Sequence, residues 1–487
     1  MTQFTQIPPN LEIPGQYNEI DPSLAEVGAG VFPLRGLILA QKIAAGTLAV
    51  DTPTQVFSAE EVGALAGFGS QAHRMAVRWY SKNQSTELYI CLVADAGGAT
   101  PAVGSITFGG TVAGGTVAVY VGGDRYEVTA SGTLANMATA LAAAITADAN
   151  SAVSAVVNPG IAEEVTLTAK NAGVAGNSID IRHSAQAGEA LPSGLTAAVV
   201  AMSAGATDPT IDTALASFGA IQFDIISHPW PTTAALTAIE AELENRDDAL
   251  DGRQGSAITG MVGTQGVLAA VGNGRNSEFS TIIGFETFPG VAHERAAGIA
   301  ATVAKEGSID PGRPFQTLAV DGYAPAPKDR FSDTARNLLL SDGIATTKTG
   351  SDGIVRIERL VTTYQTNAAG APSDAFHDLN TLLLVSYFRK AWTARIELRF
   401  PRHKLAADGG LPPAAGVAVL TPKGYLGEFG AFYADLVKAG LCEDAQSAVA
   451  NSTAVISPGD PNRIDAVLAP NFINQFRVGA TLVQFRL

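Results

Sequence analysis

Between residues 220 and 343, apolar runs of strand length alternate with helical patterns. Ala220–Ser227 (AIQFDIIS), Ala257–Gly263, Ile282–Phe285 and Gln316–Val320 read as strands with little polar interruption. Pro231 and Thr232 open a helix with Leu236, Ile239 and Leu243 on one face, and His293–Lys305 forms another with Ala296, Ile299 and Val303 in line. Ser332 caps a further helix that ends near Gly343. Strands apolar on both faces need cover on both faces, and intervening helices supply it. This alternation therefore predicts a mostly parallel sheet clad by helices.

The same texture is present upstream. Val31–Gln41 and Glu87–Ala94 read as buried strands, and residues 58–82 as helical, with Ser58 as N-cap and Glu61 completing a capping box. Gly67-Phe-Gly69-Ser-Gln-Ala72 matches a dinucleotide-type glycine pattern, but it follows a helix rather than a strand, so it predicts a helix break. Between these regions, residues 99–203 are rich in Gly, Ala, Thr and Val and poor in charge. There Ser105–Val112, Thr116–Val121, Tyr126–Ala130, Val165–Ala169 and Ile179–His183 read as strands around a helix at Leu134–Ala147. Because the strand–helix pattern resumes afterwards, 99–203 reads as an inserted β-rich domain. Downstream, Ile344–Lys348 and Ile354–Tyr364 read as a hairpin. Ser373 opens a long helix carrying Phe376, Leu379, Leu383 and Tyr387, and Tyr425–Ala439 is the last helix. The expected fold class is α/β: a mixed sheet with helices on both faces, an inserted β-rich domain, and extended arms at both termini. The expected segments are an arm at 1–28, a discontinuous core at 29–98 and 204–340, the insertion at 99–203, a C-terminal domain at 341–470 and a terminal strand at 471–487.

The two ends carry the candidate interaction residues. The chain closes on NFINQFRVGATLVQFRL. Phe476, Val478, Ala480 and Leu482 alternate with Arg477, Gly479 and Thr481, and the apolar set then shifts parity to Val483, Phe485 and Leu487. Two readings are open: a last strand of the chain's own sheet, or an edge strand given to a neighbouring copy. At the other end, IPPNLEIPGQYNEIDP has four prolines, which forbid a helix, and apolar anchors at Ile7, Leu11, Ile13, Tyr17 and Ile20. Such a segment reads as an arm that lies on something else.

Composition excludes several functions. The net charge of −15 argues against general binding to nucleic acid or anionic membrane. Charged residues make up only 16% of the 487, so much of the surface is uncharged, as expected of a chain that meets other subunits. Two cysteines, Cys91 and Cys442, cannot build a disulfide framework, and a reducing compartment is the default. The first residues have neither the basic nor the apolar region of a secretory signal, and no apolar run reaches the roughly 18 residues of a membrane span. The absence of a Gly-Lys dipeptide excludes a Walker A loop. There is no G-x-S-x-G elbow, no His-Gly pair of the subtilisin kind and no CxxC, and the second histidine of a zincin is missing after His293-Glu294 because residue 297 is Ala. His228 follows a strand with Asp224 four residues earlier, a catalytic position in α/β enzymes; a rigid His-Pro-Trp-Pro turn is the structural alternative. No catalytic, cofactor or metal residue is expected. Arg389, Lys390, Arg395, Arg399, Arg402, His403 and Lys404 form the one basic cluster, either a solvated, salt-bridged helix face or a patch that meets an acidic partner.

Four collinear stretches carry a family resemblance: IPPNLEIPGQYNEID near the start, VTLTAKNAGVAGNSIDIR at 165–182 with its T-x-x-x-x-G-x-x-G-N-x-I pattern, FPRHKLAADG at 400–409, and DPNRIDAVLAPNFINQF from Asp460. The chain resembles Mu-like contractile phage tail sheath proteins, whose core is called subtilisin-like. The resemblance implies a structural subunit of the virion tail, assembled in the host cytoplasm as stacked hexameric rings around a tail tube protein, with baseplate and tail terminator proteins at the ends. It implies inter-subunit strands at Ile7, Leu11, Ile13, Tyr17, Phe476, Val478, Leu482 and Phe485, an outward-facing insertion, and a tube-facing C-terminal part containing Arg389, Lys390, Arg395, Arg399, Arg402 and Lys404. The acidic charge balance implies no nucleic-acid or membrane partner, and without a Walker A loop any mechanical work draws on energy stored at assembly rather than on nucleotide. A headless contractile bacteriocin or injection-system sheath, a fibrous surface-array protein and an α/β hydrolase-like enzyme are the alternative readings.

Overall fold

The computed structural model describes residues 32–410 and 417–486. The expected N-terminal arm, with Ile7, Leu11, Ile13 and Tyr17, lies outside the described residues. The chain divides into two compact units, Phe32–Arg389 with Gln475–Leu487, and one whose described part falls within Lys390–Asn474.

The first unit is built on an eight-stranded sheet in the order Val355–Arg359, Ile344–Thr349, Ser280–Phe285, Ser256–Val262, Ile225–Ser227, Gly36–Gln41, Leu88–Val93, Thr54–Val56. The six inner strands are parallel, and the two edge strands pair antiparallel. The sheet is therefore mixed. Gly36–Gln41 and Ser280–Phe285 are buried along their whole length. Ile283 packs into the main apolar cluster and its neighbour Ile282 into a second one with Leu236, Leu268, Leu339 and Ile344. Adjacent strand residues point to opposite faces, so helices cover both. The helices Gln71–Lys82 and Ala292–Ile309 pack against each other on the first face, where Ala296, Ala297, Ala300, Ala301 and Ala304 are all buried. Thr233–Arg246, Gln265–Asn273 and Asp333–Ser341 bring Leu236, Leu268 and Leu339 to the second.

Local chemistry sets the boundaries. Ser58 caps Ala59–Ala66 by accepting the Glu61 N–H, and the Glu61 carboxylate reaches back to the Phe57 N–H at 2.7 Å. The predicted break holds: Gly67 and Gly69 adopt φ +91° and +81°, and a second helix starts at Gln71. The hairpin read at 344–364 extends the core sheet, and the division between units falls at Arg389/Lys390 rather than near residue 341. Gln316–Val320 is not a regular strand. Thr317 turns left-handed at φ 72°, leaving an isolated bridge between Ala319 and Arg356. The helix expected from Ser373 begins at Leu379, because the Ser373 hydroxyl accepts the Ala375 N–H in a turn.

Residues 101–203 form an antiparallel four-stranded sheet (Leu195–Ser203, Pro101–Gly110, Glu164–Ala172, Val153–Val157), a three-stranded sheet (Asp124–Thr129, Thr116–Val121, Ile181–His183) and the helix Leu134–Ala147. They enclose an apolar cluster of their own, including Phe108, Met137, Leu141 and Leu167. In the second unit, Trp392 sits against Tyr425, Phe429 and Phe432 of the helix Pro422–Lys438. A two-stranded hairpin, Thr453–Ser457 with Asp460–Val467, follows.

Candidate assembly surfaces

The C-terminal segment is tethered at its start and open thereafter. Gln475 donates to the Gly312 carbonyl at 3.1 Å, Gln316 donates to the Phe476 carbonyl at 3.2 Å, and Arg477 pairs with Asp378 at 2.9 Å. Asp378 is also held by Arg359, at 2.8 Å. Beyond this anchor, among the described residues, 478–486 belongs to no strand ladder. Phe476, Val478, Leu482 and Phe485 are between 78% and 84% exposed. Among the described residues this segment therefore joins no sheet, and its apolar side chains stay in solvent. Residues 471–474 behave differently, since the Tyr433 hydroxyl accepts the Asn471 N–H at 2.8 Å and the Ile473 N–H donates to the Leu441 carbonyl. The hairpin Thr453–Ser457/Asp460–Val467 leaves Val455 and Val467 exposed, and among the described residues no further strand pairs with either of its edges.

The basic cluster is divided. Arg389 pairs with Asp247 at 2.8 Å, and Arg395 with Glu428 at 2.6 Å and Asp435 at 3.0 Å. Arg399 approaches Glu428 at 3.4 Å. Arg402 and Lys404 are exposed. Arg389, Arg395 and Arg399 thus serve intramolecular ion pairs, which carboxylates far away in sequence did not reveal.

Among the described residues, no catalytic constellation forms around His228. The ring is fully buried, stacks near Trp230 with centroids 6.5 Å apart, and burial pushes its pKa down to about 3, so it stays neutral. Asp224 instead accepts the Arg35 N–H at 2.7 Å and the Gln222 amide at 2.8 Å. The parallel strands reverse their order between Gly36–Gln41 and Ile225–Ser227, the place where open α/β sheets bind ligands. Here the insertion fills it: Gln41 donates to the Ala172 carbonyl and to Asp95, both at 2.7 Å, and the Trp230 indole donates to Gln41. Both cysteines are buried, and burial raises each thiol to about 11.

The T-x-x-x-x-G-x-x-G-N-x-I stretch is the stitching of that joint. Asn171 accepts the Gln71 N–H at 2.9 Å and donates to the Lys42 carbonyl at 2.9 Å. Asn177 and Gly205 exchange two hydrogen bonds of 2.9 Å. Gly173 adopts φ +120°, and a Cβ there would meet Asp208 at 2.8 Å. Sequence reasoning missed the strongest element, a buried ion network. The Arg74 guanidinium binds Glu294 at 2.5 and 3.1 Å, Asp124 at 2.6 Å, and the carbonyls of Asn150 and Gly122. It locks both first-face helices to the insertion. Burial pushes the Glu294 carboxyl up, but Arg74 and Arg78 outweigh it and hold the group below the usual carboxylate range.

Comparison with known proteins matches these features to one family. A family profile described as the phage tail sheath protein central domain covers residues 204–363. The Mu-like prophage FluMu tail sheath protein of Haemophilus influenzae is 32% identical over 489 residues, 99% of each chain. Among solved structures, a sheath tail protein from Desulfitobacterium hafniense is 15% identical with a TM-score of 0.47, covering 94% of this chain and 100% of that one. The anti-feeding prophage helical sheath in its contracted state is 10% identical with a TM-score of 0.46, covering 98% of this chain and 99% of that one. On the full-length identity to the Haemophilus protein, this chain belongs to the phage tail sheath protein family, of the Mu-like type.

Proposed function

We propose that the chain is the repeating subunit of a contractile sheath. It polymerises helically around a tail tube, and its contraction drives the tube through the host cell envelope. The observation that carries this is the segment 478–486, whose backbone and apolar side chains find no mates among the described residues. A segment with unused main-chain donors and acceptors adds as a strand to an open edge. Burying Phe476, Val478, Leu482, Val483 and Phe485 against a second copy would supply roughly 1.5–3 kcal/mol each. Each new backbone hydrogen bond would add about 0.5–1.5 kcal/mol. The exposed edges of the Thr453–Ser457/Asp460–Val467 hairpin are the acceptor we assign to it. A donor and an acceptor on different parts of one surface make a head-to-tail contact, and such contacts propagate into rings or helices.

The role is structural rather than catalytic, in keeping with the neutral, carboxylate-free surroundings of His228. Arg402 and Lys404, which are exposed, would meet an acidic tube or neighbour. The insertion faces outward, and baseplate and terminator proteins close the ends of the polymer. Electron microscopy of the purified full-length chain tests the reading: hollow tubes are expected. Discrete small particles at every concentration and salt would overturn it.

A further inference from the structure

A cavity of about 170 Å³ lies where the insertion's Gly123 turn, the loop Phe288–Val291 and the segment Asp321–Tyr323 meet, with Arg78 and Arg295 in its lining. Arg295 is only 5% exposed. Its guanidinium carbon sits 3.5 Å from the centre of the Phe288 ring, and Nη2 donates to the Tyr323 carbonyl at 2.5 Å. Nε has no hydrogen-bond partner, and among the described residues no carboxylate lies within ion-pair distance of this arginine. Glu286 acts on it only from further away, and accepts the Phe331 N–H at 3.1 Å. The two acids that line the cavity are engaged elsewhere: Glu294 with Arg74 at 2.5 Å, and Asp321 with Lys82 at 2.5 Å and the Ser81 hydroxyl at 2.7 Å. Arg78 stands 3.6 Å from Glu294, a partner that Arg74 already holds more closely.

The neighbouring Arg74 shows what a buried arginine in this protein ordinarily has: two carboxylates and two carbonyls. A buried charge without a counter-ion is strongly disfavoured, and a guanidinium fork fits planar and tetrahedral oxyanions in particular. Burial lowers the Arg295 pKa to about 9, the response of a cation short of a counter-ion. The cavity has several times the roughly 30 Å³ that one water occupies, enough for an oxyanion. We propose that this cavity is an oxyanion site, with Arg295 as its primary ligand, Arg78 as the second, and a carboxylate or phosphate group as its occupant. The site itself stands apart from the sheath reading, and only a neighbour's side chain as its occupant rests on that reading. Its occupant has two possible sources, a dissolved anion or an acidic side chain of a neighbouring copy.

Calorimetric titration of inorganic phosphate into the full-length chain tests it, with sodium chloride at matched ionic strength as the control. Unassembled and pelleted fractions are measured separately. Saturable binding to the unassembled fraction is expected, with at least about a tenfold loss in Arg295→Met and a smaller loss in Arg78→Gln. Arg295→Met is expected to unfold no earlier than the parent in chloride, because it removes an uncompensated charge. Should that variant not fold, the loss in Arg78→Gln decides. Binding to both fractions identifies a dissolved anion, and binding to the unassembled fraction alone identifies a neighbour's carboxylate. Absence of phosphate binding to the unassembled fraction, or unchanged binding in both variants, overturns the proposal.

Discussion

Two apolar stretches of this chain have opposite fates. Ser280–Phe285 is buried along its whole length, with parallel partners on both sides. Phe476–Phe485 is at least as apolar in pattern, yet its large side chains stand in solvent and its backbone joins no ladder among the described residues. Intrinsic strand propensity does not separate them. The difference is what surrounds each: the first lies between crossover helices, whereas the second leaves the fold after the Arg477–Asp378 ion pair. An apolar segment without a partner among the described residues is what the proposed assembly would complete.

The sharpest way to break this contrast is to remove the free strand. Deleting 478–487 keeps the tethers at Gln475 and Arg477 and the Tyr433–Asn471 bonds. It is expected to raise the concentration needed for assembly by about a thousandfold or more, equivalent to about 4 kcal/mol, with an unchanged thermal midpoint. Sedimentation and calorimetry on the same sample check both, and a large drop in the midpoint would put the segment back in the core. Removing a buried group should do the reverse. Phe285→Ala is expected to destabilise the subunit by about 3–5 kcal/mol in chemical denaturation. Glu294→Ala should also destabilise it, because Arg74 then keeps Asp124 as its one counter-charge among the described residues.

Acid should act on the folded unit more than on the free strand. Burial, the main cause in each case, lowers His73 and His293 to about 4 and His228 to about 3. Unfolding lets these rings take up protons near their ordinary pKa of 6.5. Between that value and about 4, the unfolded state therefore binds more protons, and stability falls as pH falls, by up to about 1.4 kcal/mol per pH unit for each histidine. Glu294 adds to this at lower pH, where protonation of its depressed carboxyl removes its contribution. Urea midpoints at pH 7 and pH 5 measure the slope; a flat profile would show that these rings are hydrated. The smallest effect is expected at the exposed cations. Arg402→Ala and Lys404→Ala should shift folding stability by no more than about 0.5 kcal/mol. Their influence should appear in the salt dependence of assembly, measured by light scattering.

Much of the core was legible because its strands and helices differ in period. Thr116–Val121 and Leu134–Ala147 match their readings end to end, and the break at Gly67–Gly69 follows from glycine alone. Val153–Val157 and Leu195–Ser203 escaped notice, since runs of Ala, Ser and Val with little alternation carry a weak strand signal. The helix Gln265–Asn273 was hidden by its glycines. The clustering of basic residues from 389 to 404 was visible, but their carboxylate partners come from distant positions, so the division of the cluster was not. The Arg74–Glu294 pair spans 220 residues, and no local pattern announces it.

Hydrogen–deuterium exchange at residues 478–486, compared between the unassembled subunit and the assembled polymer, tests the central claim most directly. The account predicts exchange at unprotected rates in the subunit and strong protection in the polymer. Protection already present in the subunit, or none in the polymer, would contradict it.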